Sequence, residues 1–216
     1  MQNQVRTGVQ PTKKMSERIL KLVQLSFLTA ILIVMSLTPL GYLKIGIISI
    51  TLLMIPVVIG AIVCGAGGGA FLGFVMGITS LLQCITGADA LGALLWAENP
   101  LGTIFMTVPT RILAGLLPGL LFAALFKTKF PKMILYSGTA LIGSLLNTIL
   151  FLGVLLLIFG NNETVIEVFN FSGGSIVLYI LKTIAATNGM IEAVACTIVG
   201  ASLSAIIDRF LKTNRK

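Results

Sequence analysis

IGIISITLLMIPVVIGAIVCGAGGGAFLGFVMGITSLLQCI, residues 45–85, runs for 41 positions without a charged side chain. Coiled as an α-helix it would rise about 60 Å, twice the hydrocarbon thickness of a bilayer, so it reads as two crossings folded back on each other. The glycine-rich CGAGGGA, Cys64–Ala70, is where the chain reverses. Four further apolar runs of spanning length flank this pair: about Ile19–Leu37, Thr103–Phe126, Met133–Phe159 and Thr183–Ile207. The expected fold is therefore all-α, an integral membrane bundle of six transmembrane helices.

Composition agrees, since 56% apolar residues, 10% charged residues and a mean hydropathy of +1.05 do not suit a water-soluble domain of this length. Short cytoplasmic segments retain Lys and Arg during insertion. Arg6, Lys13, Lys14, Arg18 and Lys21 precede the first span, Lys127, Lys129 and Lys132 lie between the fourth and fifth, and Arg209, Lys212, Arg215 and Lys216 end the chain. The opposite loops carry Asp89, Glu98, Glu163 and Glu167, with Lys44 and Lys182 as their basic residues. Both termini are thus expected in the cytoplasm. Three segments follow: a basic segment 1–18, a membrane domain 19–207 and a basic tail 208–216. The net charge of +8 is a consequence of topology and of the lipid bilayer, and nucleic acid is not an expected partner. The first apolar run is too long for a signal peptide and lacks a small-x-small cleavage site, so an uncleaved first helix is expected.

Small residues mark how the helices pack. Gly65, Gly69, Gly73 and Gly77 recur every four residues, as do Gly189, Ala193, Thr197, Ala201 and Ala205, and each series makes one smooth helix side. The fourth span repeats this with Gly115, Gly119 and Ala123, and one step back along the same seam stands Arg111. An arginine facing lipid near the bilayer centre costs at least about 2.5–3.5 kcal/mol, so this one is expected to face the bundle or a wet cavity, unless it snorkels from near its helix end.

Counting from the basic edge of each span at 1.5 Å per residue puts Arg111 roughly 24 Å up, Asn147 roughly 22 Å and Glu192 roughly 26 Å, with Asn188 one turn higher. Polar groups from three helices at one level fit a binding pocket open to the outside. The competing readings are a buried Arg111–Glu192 ion pair that only fixes helix register, and proton coupling through Glu192. The guanidinium fork matches a carboxylate or phosphate and asparagine offers both donors and acceptors, so a small organic acid suits the pocket better than a bare ion. The outer stretches GADALGALLWAENP and NFSGGS are long for turns, and Trp96, Phe169 and Phe171 serve there either as lids or as interfacial anchors. Tyr42 and Lys44, near the outer end of the second span, complete the candidate contacts.

Catalytic machinery is not in view: there is no histidine, no nucleotide-binding GxxxxGK[ST] loop, no HExxH and no GxSxG. Cys64, Cys84 and Cys196 lack the spacing of a zinc site and are read as structural. Neither a metal nor a cofactor is expected. Binding without catalysis remains, either in a capture subunit or in a stand-alone secondary transporter that couples to protons at Glu192. The second lacks a clear inverted repeat. A membrane enzyme or assembly scaffold has no motif behind it.

TPLGYLKIGIISITLLMIPVVIGAIVCGAGGGAFLGFVMGITSLL, residues 38–82, resembles the second and third helices of an S component of an energy-coupling factor (ECF) vitamin transporter, and the six-span plan is similar over about residues 19–207. That resemblance implies a substrate-capture subunit without its own ATPase, working with a transmembrane T component and two ABC-type ATPase subunits. It also implies a small-x-x-x-small docking motif on the first helix. SFLTA places Ser26 and Ala30 at that spacing, with serine where the family usually has alanine. PTRILAG around Arg111 and SLLNTILF around Asn147, followed by Asn188, are similar to pantothenate-specific S components, in which the arginine pairs with the vitamin carboxylate. Glu192 and Lys44 match no known family role. A small anionic vitamin is the implied substrate, with folate the nearest competitor and biotin, riboflavin or a modified pyrimidine also open.

Overall fold

The computed structural model describes residues 13–39, 41–45, 48–127, 130–160, 162 and 189–213. Its long helices are α1 (Lys13–Leu37), α3 (Ala66–Thr86), α5 (Pro100–Leu125) and α6 (Lys132–Phe159). A further helical rod closes the chain, made of α7 (Met190–Ala195), a π-helical segment (Cys196–Gly200) and α8 (Ala201–Thr213). Five helical stretches are long and apolar enough to cross a membrane: Arg18–Leu37, Ala66–Thr86, Pro100–Leu125, Lys132–Phe159 and Met190–Ile207. The chain is a multi-pass membrane protein. Helix α1 begins at Lys13, so part of the basic N-terminal segment belongs to the helix.

The expected second span is corrected in its first half. Residues Tyr42–Ile45 (β1) and Ile48–Thr51 (β2) form an antiparallel hairpin, in register from Tyr42↔Thr51 to Ile45↔Ile48. A bond from the Leu52 amide to the Gly41 carbonyl, 3.0 Å, extends the ladder. The reason is local. YLKIGIISIT is rich in β-branched and aromatic residues, and a short apolar run carries no period that separates helix from strand. What remains is α2 (Met54–Val63), ten residues and so about 15 Å long. Met54 and Pro56 through Ile62 are all buried, which is the signature of a helix apolar on every side and surrounded by others. The reversal falls at Cys64 and Gly65, where Gly65 takes φ +87°, a conformation a side chain would strain.

The expected seam forms between α3 and α5, which share the most extensive contact among the described elements. A Cβ added at Gly69 would run into the Gly115 carbonyl, and one at Gly115 into the Gly69 carbonyl. Gly73 likewise lies against the Arg111 backbone and Gly77 against Val108. The two helices therefore touch backbone to backbone at Gly69, Gly73 and Gly77.

Between α3 and α5 the connection holds a short helix, α4 (Ala90–Glu98), rather than an open loop. Asp89 caps it by accepting from the Gly92 amide at 3.1 Å. Asn99 then caps α5 through the Gly102 amide at 2.9 Å, with Pro100 in the first turn where its missing N–H is no loss. Two apolar clusters result. One joins α1, α2, α3, α5, α6 and the closing rod and includes Leu72, Met76, Ala114, Ala140 and Cys196. The other gathers Leu91 and Leu95 of α4, Met106 of α5, and Leu152, Leu155 and Phe159 of α6.

Candidate functional site

A polar layer separates the two clusters, and each helix shows it in the order of its residues. Along α5, Thr107, Thr110 and Arg111 stand between Met106 of one cluster and Ala114 of the other. Along α6, Asn147 and Ser144 stand between Leu152 and Ala140. On the closing rod Glu192 precedes Cys196 by one turn. All six of these polar residues are buried.

Arg111 is only 7% exposed, and its Nε and Nη1 atoms have no hydrogen-bond partner among the described residues. Its backbone is fixed by the glycine seam, while Pro109, two residues earlier, has no amide proton to bond the Phe105 carbonyl and weakens the helix ladder there. The guanidinium carbon stands 5.8 Å from the centre of the Phe151 ring on α6, a cation–π distance. Phe151 lies one turn beyond Asn147, so Arg111 and Asn147 address the same stretch of α6.

Asn147 Nδ2 donates to Glu192 Oε1 at 3.0 Å, both residues being nearly sealed at 7% and 3% exposure. No ion pair joins Arg111 to Glu192 among the described residues; the Glu192 carboxyl accepts from the asparagine instead. A buried guanidinium with two idle N–H-bearing nitrogens is expensive unless something anionic reaches it. Ser144 Oγ is fully buried below Asn147, beside the side chains of Glu192 and Cys196. Thr107 and Thr110 are different, because their hydroxyls bond back to the Thr103 and Met106 carbonyls and are spent within α5. The π-helical segment starts one turn after Glu192, and such widened turns recur at functional sites.

The remaining candidates are distributed around this centre. Tyr42 is half-buried, with its hydroxyl 2.7 Å from Ser80 Oγ on α3. It lines a cavity of about 400 Å³ with Ser36, Thr38, Pro39 and Gln83, and Gln83 Nε2 ties α3 to the Ser36 carbonyl of α1 at 2.7 Å. Trp96 is half-buried on α4, beside Leu95 of the second apolar cluster. Lys44 is on β1 opposite Ser49, and its side chain lies outside the described atoms. Asn188, Phe169 and Phe171 lie outside the described residues. Ser26 and Ala30 are both exposed on α1. Sequence reasoning missed Phe151, Ser144 and Ser80. Spacing offered a signal for the first two, since Ser144, Asn147 and Phe151 recur at the three- and four-residue steps of one helix face.

Comparison with known proteins bears on the whole assembly of helices. The family of ECF transporter substrate-specific components matches residues 20–204, from α1 to α8. The pantothenic acid transporter PanT of Lactococcus lactis subsp. cremoris is 29% identical over 161 residues, 71% of this chain and 74% of that protein. The pantothenate transporter PanT of Leuconostoc mesenteroides subsp. mesenteroides is 34% identical over 113 residues, 50% of this chain and 53% of its own length. With the match running through every membrane helix, the chain belongs to the substrate-specific components of ECF transporters and is a membrane transport subunit, not an enzyme.

Proposed function

We propose that the chain captures pantothenate at the outer side of the membrane for an ECF importer. The observation that carries this reading is the buried Arg111 guanidinium with Nε and Nη1 unsatisfied, which is complementary to a carboxylate and otherwise costly. Asn147 and Glu192 one turn away supply partners for the vitamin's amide and hydroxyls, and Asn188, Trp96, Tyr42 and Lys44 are assigned supporting contacts. The names of the two relatives point to the same ligand.

Counting α2 as a crossing made together with the hairpin gives six, so both basic ends share the cytoplasmic side. Ser26 and Ala30 sit on the least buried span, among exposed Leu22, Val23, Phe27, Ile33 and Val34, which suits a shallow docking face for a T component linked to two ABC-type ATPases.

Mass spectrometry of the small molecule that co-purifies with the chain tests the ligand, and Arg111→Ala tests the site. The substitution removes a pair of charge-assisted hydrogen bonds and should weaken pantothenate binding about 100-fold or more. Thermal stability of the empty protein should hold or rise, because an uncompensated buried cation is removed. A large loss of stability with a matching loss of binding would show Arg111 to be structural.

A further inference from the structure

We infer that Phe151 is the positioning residue of the anion site: its ring holds the Arg111 guanidinium without using the N–H groups that a ligand carboxylate takes. This rests on the capture of a small carboxylate at Arg111. A buried cation needs something to hold it, and the kind of partner decides what it can still bind. A carboxylate in contact would neutralise the guanidinium and compete with an anionic ligand, and a carbonyl would occupy its N–H groups. An aromatic ring attracts the cation through its quadrupole and accepts no conventional hydrogen bond from it. Phe151, with its ring centre 5.8 Å from the guanidinium carbon, is a partner of this third kind.

The polar side chains of the same layer are engaged elsewhere among the described residues. The Glu192 carboxyl accepts from Asn147 and lies beside Ser144, and the Thr107 and Thr110 hydroxyls bond to carbonyls of α5 itself. Nε and Nη1 of Arg111 are left idle as a result. The ring is itself anchored, because Phe151 packs on the apolar cluster that Leu91 and Leu95 of α4 form with Leu152 and Leu155 of α6. At the other end of the arginine, the Arg111 backbone is set by its contact with Gly73. The side chain is therefore fixed at two points, its Cα by the glycine seam and its head by the ring, and the torsions between them lose freedom before the ligand arrives. Phe151→Leu would keep the apolar packing, lose the quadrupole and release the guanidinium.

The test uses the full chain in lipid nanodiscs and two probes, pantothenate and panthenol, in which a neutral hydroxymethyl group replaces the carboxylate. Wild type should prefer pantothenate by at least about 100-fold, and Arg111→Ala should remove most of that preference. Phe151→Leu should weaken pantothenate about tenfold while panthenol stays within about threefold, so the preference shrinks. Loss of packing alone would weaken both probes alike and leave their ratio unchanged, so panthenol also reports whether the variant is folded. Phe151→Met removes the ring with a different apolar side chain and should match Phe151→Leu. Phe151→Tyr retains the ring and should keep the preference within about threefold of wild type. A ratio unchanged on removal of the ring, or a loss in Phe151→Tyr as large as in Phe151→Leu, overturns the inference while leaving capture at Arg111 intact. Absence of any preference in wild type, or its persistence in Arg111→Ala, overturns both.

Discussion

The sharpest consequence of the α3–α5 seam concerns Gly73. A Cβ at this position would stand 2.9 Å from the Arg111 carbonyl carbon and 3.2 Å from the Ile112 Cα, with the Arg111 carbonyl oxygen nearer still. Ordinary carbon–carbon contact begins near 3.5 Å, so Gly73→Ala must part the two backbones by about 0.6 Å or more, and backbone cannot step aside as a side chain can. Overpacking of this kind costs about 1–3 kcal/mol, offset in part by the roughly 0.5–1 kcal/mol that alanine gains over glycine inside a helix. The net loss is at most about 2.5 kcal/mol, and its middle value of about 1.25 kcal/mol corresponds to a melting point lower by roughly 2–5 °C. The displaced group is the backbone that carries the guanidinium, so pantothenate affinity should fall about tenfold or more in protein that remains folded. Gly138→Ala is the control, because nothing lies within 4 Å of a Cβ there. Melting curves and calorimetric titration of both variants in one detergent decide the matter. If Gly73→Ala melts and binds as Gly138→Ala does, the close approach is not where the argument puts it.

Two other expectations accompany it. Ala30→Trp on the exposed face of α1 should leave pantothenate binding within about twofold while abolishing uptake in cells that supply the ATPase partners, and normal uptake would remove the docking assignment. Tyr42→Phe deletes the partner of Ser80 Oγ, so stability should fall by about 1 kcal/mol, and Ser80→Ala in the same background should restore part of it; additive losses in this double-mutant cycle would show the 2.7 Å contact to be idle.

Much of this architecture was legible because a bilayer simplifies the code. Charge-free length alone locates the long helices, and four-residue steps of glycine foretell a smooth packing side on α3 and on α5, but not that the two sides meet or that Gly73 lies against Arg111. Counting residues from the basic edges brought Asn147 and Glu192 to one level, where they are 3.0 Å apart. The hairpin at Tyr42–Thr51 was not legible. Its sequence is apolar nearly throughout and lacks the alternation by which strands are recognised, and β-branched residues are common in membrane helices as well. Helix α4 was missed for another reason: its cap Asp89, and Asn99 with Pro100 opening α5, are start signals that also read as turn residues. The stacking of Arg111 on Phe151 depends on the rotation of α6 against α5, which no single helix encodes.

Interlocked main chains also limit how cargo can leave. Side chains adapt to sliding by changing rotamer, but Gly69, Gly73, Gly77 and Gly115 have none to change, and a shift at one rung breaks the others at once. Helices α3 and α5 thus behave as a single plank to which the arginine is nailed. Whatever movement delivers the vitamin must either carry that plank whole or act through parts not joined to it in this way.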